Sequence, residues 1–368
     1  MQIIMLVKSK QRRYGPMKKL SGLMNLAAAL PAVLFLAGAA VCGSGTAKAV
    51  PAASYSEPAE RRTVIPCGTP FGIKMLTDGV VVTDFGAVNG RLSQQSPAEA
   101  AGIRKGDVIT SINGISVTDS VTLSEAIQEN PVCTINVIRE GENLTFTANA
   151  LESEKDGEYK LGMWTKDSVA GIGTMTYYDP EAGIFAGLGH GVSDSNSGVL
   201  MPLLSGEITA VTVTDVVRGA DGMPGELCGA FISSVEIGQL SLNSEFGVFG
   251  ECDSPPILCD PVEIAARDEI HTGAAVIYAT TGGMMPEEYD IEIVSIDRGS
   301  TSPVRNMTIR ITDPDLLSRT GGIVQGMSGS PILQDGRLVG AVTHVLVNEA
   351  DMGYAVFAEN MTAAYSSR

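Results

Sequence analysis

Aromatic residues make up only 5% of this chain, a single tryptophan serves 368 residues, and there are just three histidines, His190, His271 and His344. No His-Glu-x-x-His run occurs among them, which excludes the helical zinc-hydrolase arrangement. The six cysteines (Cys42, Cys67, Cys133, Cys228, Cys252 and Cys259) contain no Cys-x-x-Cys pair and no zinc-finger spacing, so no metal site is expected. No cofactor is expected either. Cys252 and Cys259 could form a disulfide outside the cytoplasm, with buried free thiols the equal alternative. Lysine is absent after Lys166, which leaves a serine–lysine hydrolytic pair in the second half without its base. Positive charge is scarce beyond residue 49, where 18 Lys and Arg face 42 Asp and Glu, a net charge of −24. So acidic a surface repels nucleic acid and anionic membrane, and neither is expected as a ligand.

Residues 1–49 have the opposite deficiency: seven basic residues and no acid. A basic cluster, the apolar run Leu20 to Val41, and Ala47-Lys48-Ala49 read as an export signal with a small-residue cleavage site. An uncleaved membrane anchor is the alternative, because a run of that length can span a bilayer. Residues 50–65 read as a polar linker.

What is plentiful is glycine, 42 residues of it, which suits a mainly β chain with many tight turns. Between residues 66 and 151, Gly79-Val80-Val81-Val82 predicts a buried strand. Ser96-Pro97-Ala98-Glu99-Ala100-Ala101-Gly102 predicts a short helix with Ser at its N-cap and Pro at its first position. Ile112-Asn113-Gly114-Ile115 predicts a hairpin, Ser120 to Glu129 a second helix, and Ile135 to Phe146 another hairpin. This order resembles a PDZ domain, which takes extended peptides by strand addition and holds their carboxylate on a loop of N–H groups. Phe71-Gly72-Ile73-Lys74 stands where that loop is expected. Charged residues from Glu152 to Glu158 mark a boundary. From 161 to 368, short runs such as Thr209–Val217, Ala230–Leu240, Ala274–Ala279, Tyr289–Ile296, Pro303–Thr312 and Leu338–Val347 predict an antiparallel sandwich or a pair of small barrels.

Chemistry concentrates in Gly326-Met327-Ser328-Gly329-Ser330-Pro331. Glycines around Ser328 permit a tight turn that exposes its Oγ and aims backbone N–H groups beside it, the needs of an acyl-transfer nucleophile with an oxyanion hole. The hexapeptide looks like the nucleophile loop of chymotrypsin-like serine peptidases, with the amides of Gly326 and Ser328 as oxyanion donors. His190, in Gly187-Leu188-Gly189-His190-Gly191, is the candidate base, since an imidazole titrates near neutrality. His344 lies on a strand and reads as core or pocket lining; His271 reads as surface. A carboxylate should orient the base. Asp313, before Pro314, and Asp194, four residues after His190, compete for that role, and either could simply cap a turn.

In order, the apolar N-terminal segment, the PDZ-like stretch, Gly-Leu-Gly-His-Gly, Ile311-Thr312-Asp313-Pro314, Gly-Met-Ser-Gly-Ser-Pro and the strand Gly340 to Val345 resemble the sporulation stage IV B peptidase family. The resemblance implies a PDZ domain followed by a chymotrypsin-like antiparallel β peptidase domain. It implies His190 as base, Asp313 as orienting acid and Ser328 as nucleophile. It further implies export across the forespore membrane into the intermembrane space, tethered to the membrane or released. There the protein would cleave itself and a membrane-bound regulator of an intramembrane metalloprotease, triggering sigma-factor processing. A non-catalytic PDZ-bearing adaptor with a β docking domain is the alternative.

Overall fold

Runs of β-branched residues, broken every few positions by glycine, proline or aspartate, fold here as antiparallel strands. A computed structural model of the chain describes residues 61–366 except 91–93, 196, 253–254 and 256–258. The export segment and residues 50–60 of the linker lie outside the described residues. The last part of the expected linker is not a linker. Thr63–Pro66 (β1) is a strand whose Ile65 pairs with Tyr178, because Val64 and Ile65 are apolar and find a core.

Two barrels form the bulk of the fold. The first takes Pro70–Phe85 (β2), Met163–Asp179 (β6), Ile184–Gly187 (β7), Leu203–Val217 (β8), Glu226–Ser244 (β9) and Gly247–Cys252 (β10). Its ring closes through the antiparallel pairs β6–β7, β7–β10, β10–β9, β9–β8, β8–β2 and β2–β6. Phe71, Met75, Met175, Phe185 and Val248 fill it. The second is a closed barrel of Gly273–Ala279 (β11), Glu287–Ile296 (β12), Met307–Ile311 (β13), Glu349–Phe357 (β16), Arg337–Leu346 (β15) and Pro331–Gln334 (β14), in that order around the ring. Ile277, Ile291, Ile309, Met327, Ile332 and Val342 pack inside it. Of the two arrangements expected, the pair of small barrels is present, but the first barrel is not confined to residues 161–368: it takes β2 from the stretch read as PDZ, because β2 pairs with both β6 and β8.

Between β2 and β6 the chain makes the PDZ-like unit. Val108–Ile112 (β3), Val132–Arg139 (β4) and Glu142–Asn149 (β5) form its sheet with the second half of β2. Pro97–Ala100 (α1) and Ser120–Glu129 (α2) cover it. The local signals hold: Ser96 Oγ accepts the Glu99 amide at the start of α1, and Asn113 and Gly114 both take positive φ in the first hairpin. The expected carboxylate loop does not hold. Phe71 to Lys74 lie within β2, hydrogen-bonded on one edge to β6 and on the other to β8, so no amide there is left for a peptide. Gly72 is glycine for packing, since a Cβ would sit 2.2 Å from the Phe231 ring. Of the two alternatives left open for Cys252 and Cys259, the structure has the unbridged thiols: among the described residues no two cysteines are joined.

Candidate active site

β7 ends in two consecutive left-handed residues, Leu188 (φ 68°) and Gly189 (φ 66°), and this turn delivers His190 to the seam between the barrels. The turn is seated directly on β15, for a Cβ on Gly189 would lie 3.2 Å from Thr343 Cγ2 and from Val356 Cγ1. Beyond it, the buried Asn243 carboxamide accepts the Val192 amide (2.8 Å) and donates to the carbonyls of Val192 (2.9 Å) and Met201 (2.8 Å). Asn243 thus fixes the segment that leaves His190. Sequence reasoning missed it, and no local motif marks it.

The second barrel supplies Ser328. Gly326 (φ 96°) and Gly329 (φ 99°) bracket it in backbone conformations that disfavour any side chain. The loop is pinned to β6: the Thr174 amide donates to the Ser328 carbonyl (3.0 Å), and Thr174 Oγ1 donates to the Gly326 carbonyl (2.7 Å). The Gly329 amide donates to Val342 (2.8 Å). Among the described residues the amides of Gly326 and Ser328 have no protein acceptor, so both remain donors for a developing oxyanion. His190 and Ser328 line one cleft of about 950 Å³, together with His344, Asp194 and Glu245. In this resting arrangement Ser328 Oγ donates to the Thr343 carbonyl (2.7 Å), while His190 Nδ1 meets the Gly191 carbonyl at 2.9 Å.

Electrostatics favour a neutral imidazole at His190. Burial lowers the pKa of His190 from its ordinary value, opposed by the Gly191 carbonyl. His344 stacks on it with ring centres 4.8 Å apart, as expected for pocket lining. Burial, then His190, then Arg305 push His344 down to about 4. His271 is at the surface, paired with Asp335 at 2.9 Å. Among the described residues no group of three or more His, Cys, Asp or Glu gathers as a metal site.

The two competing carboxylates both have other work. Asp194 is buried with Lys166 Nζ at 2.6 Å and the Ser197 amide at 2.8 Å. Asp313 is the N-cap of Pro314–Thr320 (α3), accepting the amides of Asp315 and Leu316 at 2.9 Å each. Asp313 does not line the cleft, and among the described residues no carboxylate is hydrogen-bonded to His190. The structure therefore brings together His190 and Ser328 and leaves Asp313 apart. Its position before Pro314 is a helix-start signal as much as a triad signal. Asp313→Ala is expected to cost about 1 kcal/mol in thermal unfolding, and Asp313→Asn, which can still cap, to restore it. Lost turnover in the Asn variant at unchanged melting temperature would give the carboxylate a part in chemistry beyond the cap.

Residues 157–362 match the family model described as SpoIVB peptidase S55, and residues 71–149 match the PDZ domain model. No curated protein matches the chain in sequence. Among solved structures, the active form of the Rv3671c protease from M. tuberculosis aligns at 16% identity and a TM-score of 0.33, over 54% of this chain and 74% of its own. The HtrA-type protease AlgW with a decapeptide aligns at 12% identity and a TM-score of 0.32, over 58% of this chain and 55% of its own. Similarity that shallow carries no argument about this chain.

Proposed function

Since the chain belongs to the SpoIVB peptidase S55 family and is a serine endopeptidase bearing a PDZ domain, we propose that it works through a His190–Ser328 centre on protein substrates that include itself. The observation that carries the reading is Ser328 held between two left-handed glycines, with two unclaimed amides beside it, in the same cleft as an imidazole from the other barrel. His190 takes the Ser328 proton as Oγ attacks the peptide carbonyl. The amides of Gly326 and Ser328 hold the oxyanion, and the imidazolium returns its proton to the leaving amine. Water, deprotonated by His190, then releases the acyl group and restores the serine. A side-chain rotation must first release Oγ from the Thr343 carbonyl.

The wider role follows the family. The protein would be exported across the forespore membrane, held by its N-terminal segment or freed from it, and would cleave a membrane-bound regulator of an intramembrane metalloprotease. That cut would start sigma-factor processing during sporulation. The basic, apolar N-terminus and the strongly acidic remainder support such a placement. A fluorophosphonate probe is expected to modify the folded protein at Ser328, located by mass spectrometry. A folded protein that leaves the probe untouched would favour the docking-adaptor alternative.

A further inference from the structure

An extended substrate needs an unpaired strand edge to lie along, and β15 offers one at the nucleophile. On its β14 side the backbone bonding stops at Val342, which accepts from the Gly329 amide and donates to the Ser330 carbonyl, whereas on its β16 side the pairing continues to Leu346↔Glu349. The stretch from Thr343 to Leu346 is therefore bonded on one edge only, and the Thr343 carbonyl already touches Ser328 Oγ. A peptide whose carbonyl carbon sits at Ser328 must place that residue's side chain between this edge and the segment leading into the nucleophile loop.

That space is apolar and shallow. Its walls are Ile323, Val324 and Val345, all lining the cleft. Ile323 fills its depth: a Cβ on Gly353 would lie 2.5 Å from Ile323 Cδ1 and 2.6 Å from the His344 carbonyl. Behind it the floor is backbone, since a Cβ on Gly322 would lie 2.0 Å from the Ala350 carbonyl. The cleft's acids, Asp194 and Glu245, belong to the first barrel, and Asp194 is tied to Lys166. Among the described residues these walls offer no acid to a lysine or arginine side chain and no lysine or arginine to a carboxylate, and Ile323 takes the room an aromatic ring would need.

We propose that Ile323 sets the primary specificity of the peptidase and restricts the residue before the cleaved bond to small apolar side chains, alanine or valine. This rests on the peptidase reading above. The test uses fluorogenic peptides that differ only at that residue, with Ala, Val, Leu, Phe, Lys or Glu there. The wild-type chain is expected to favour Ala and Val over Phe, Lys and Glu by about 100-fold in kcat/KM. Ile323→Ala is expected to raise Leu relative to Ala by about tenfold or more, and Ile323→Val to move the same ratio less, because one methylene in such a pocket discriminates by that order. Each ratio is read on one preparation, so partial unfolding cancels. A wild-type preference for a charged or aromatic residue, or a Leu/Ala ratio unmoved in both variants, overturns the assignment. Fluorophosphonate labelling of the same samples separates the two levels. Labelled protein with the wrong preference sinks only the pocket, while unlabelled, inactive wild type sinks the peptidase reading itself.

Discussion

Alanine at Ser328 or at His190 is expected to lower kcat by about 10⁶-fold, and the double variant by no more than either single one. Attack and proton transfer are one event, so removing either partner removes both contributions. Rate above the uncatalysed reaction should persist at about 10³-fold, supplied by the Gly326 and Ser328 amides and by binding. His344→Ala should keep activity within about tenfold, because its ring only backs His190 in this cleft. Additive losses in the double variant would mean the two residues act in separate places. The pH profile carries a second reading of the same centre. Burial holds the His190 pKa below 6.5, so the neutral base persists above that value and kcat/KM should fall only as pH drops below it. The sign for stability is the same. A histidine with a depressed folded pKa binds protons better when unfolded, so its contribution is complete above about 6.5. It is lost as pH falls toward the folded value, near 4 for His344. An acid limb of kcat at pH 7 or above would show that a carboxylate joins the imidazole once substrate is bound.

What the sequence made legible was local. Asn113-Gly114, the Ser96 cap and the Ser328 loop each need a conformation only a few residues supply, so their identities announce the turn. Long strands with mixed burial did not announce themselves. β6 carries Gly171 and Gly173 and shows no clean alternation, yet it runs 17 residues. Gly173 is small because Leu188 lies against it, with Cδ2 2.0 Å from where a Cβ would stand. The same cause misplaced Phe71 to Lys74. An aromatic-Gly-aliphatic run before a buried strand fits a carboxylate loop and fits a barrel strand packed under Phe231, and only the neighbours decide. For the site, residue type sufficed to single out His190 and Ser328, which line one cleft and whose flanking glycines encode a turn. Asp313 could not be judged that way, because an Asp-Pro pair serves a helix start and a triad equally well. Asn243 was invisible, since its partners lie 51 and 42 residues away.

The nucleophile loop should also be a place where a single added methyl group does great harm to the fold. A Cβ on Gly329 would fall 2.0 Å from the Thr174 carbonyl and 2.6 Å from the Leu188 amide, atoms that hydrogen-bond to each other at 3.1 Å. The same glycine holds φ at 99°, where a side chain is strained. Overpacking and strain each cost about 1–3 kcal/mol, so Gly329→Ala is expected to lose about 2–6 kcal/mol and about 10 °C in melting temperature. Gly336 provides the comparison. It has a similar left-handed φ of 74° in the β14–β15 turn, but nothing lies within 4 Å of its would-be Cβ, so Gly336→Ala should show the strain alone, about 1 kcal/mol. Equal shifts in the two variants would mean that the Thr174–Leu188 contact yields freely. If the difference appears, activity must fall with it, because Leu188 begins the turn that carries His190. The backbone that makes the serine reachable is then the same backbone that sets the base in place, and the two cannot be perturbed separately there.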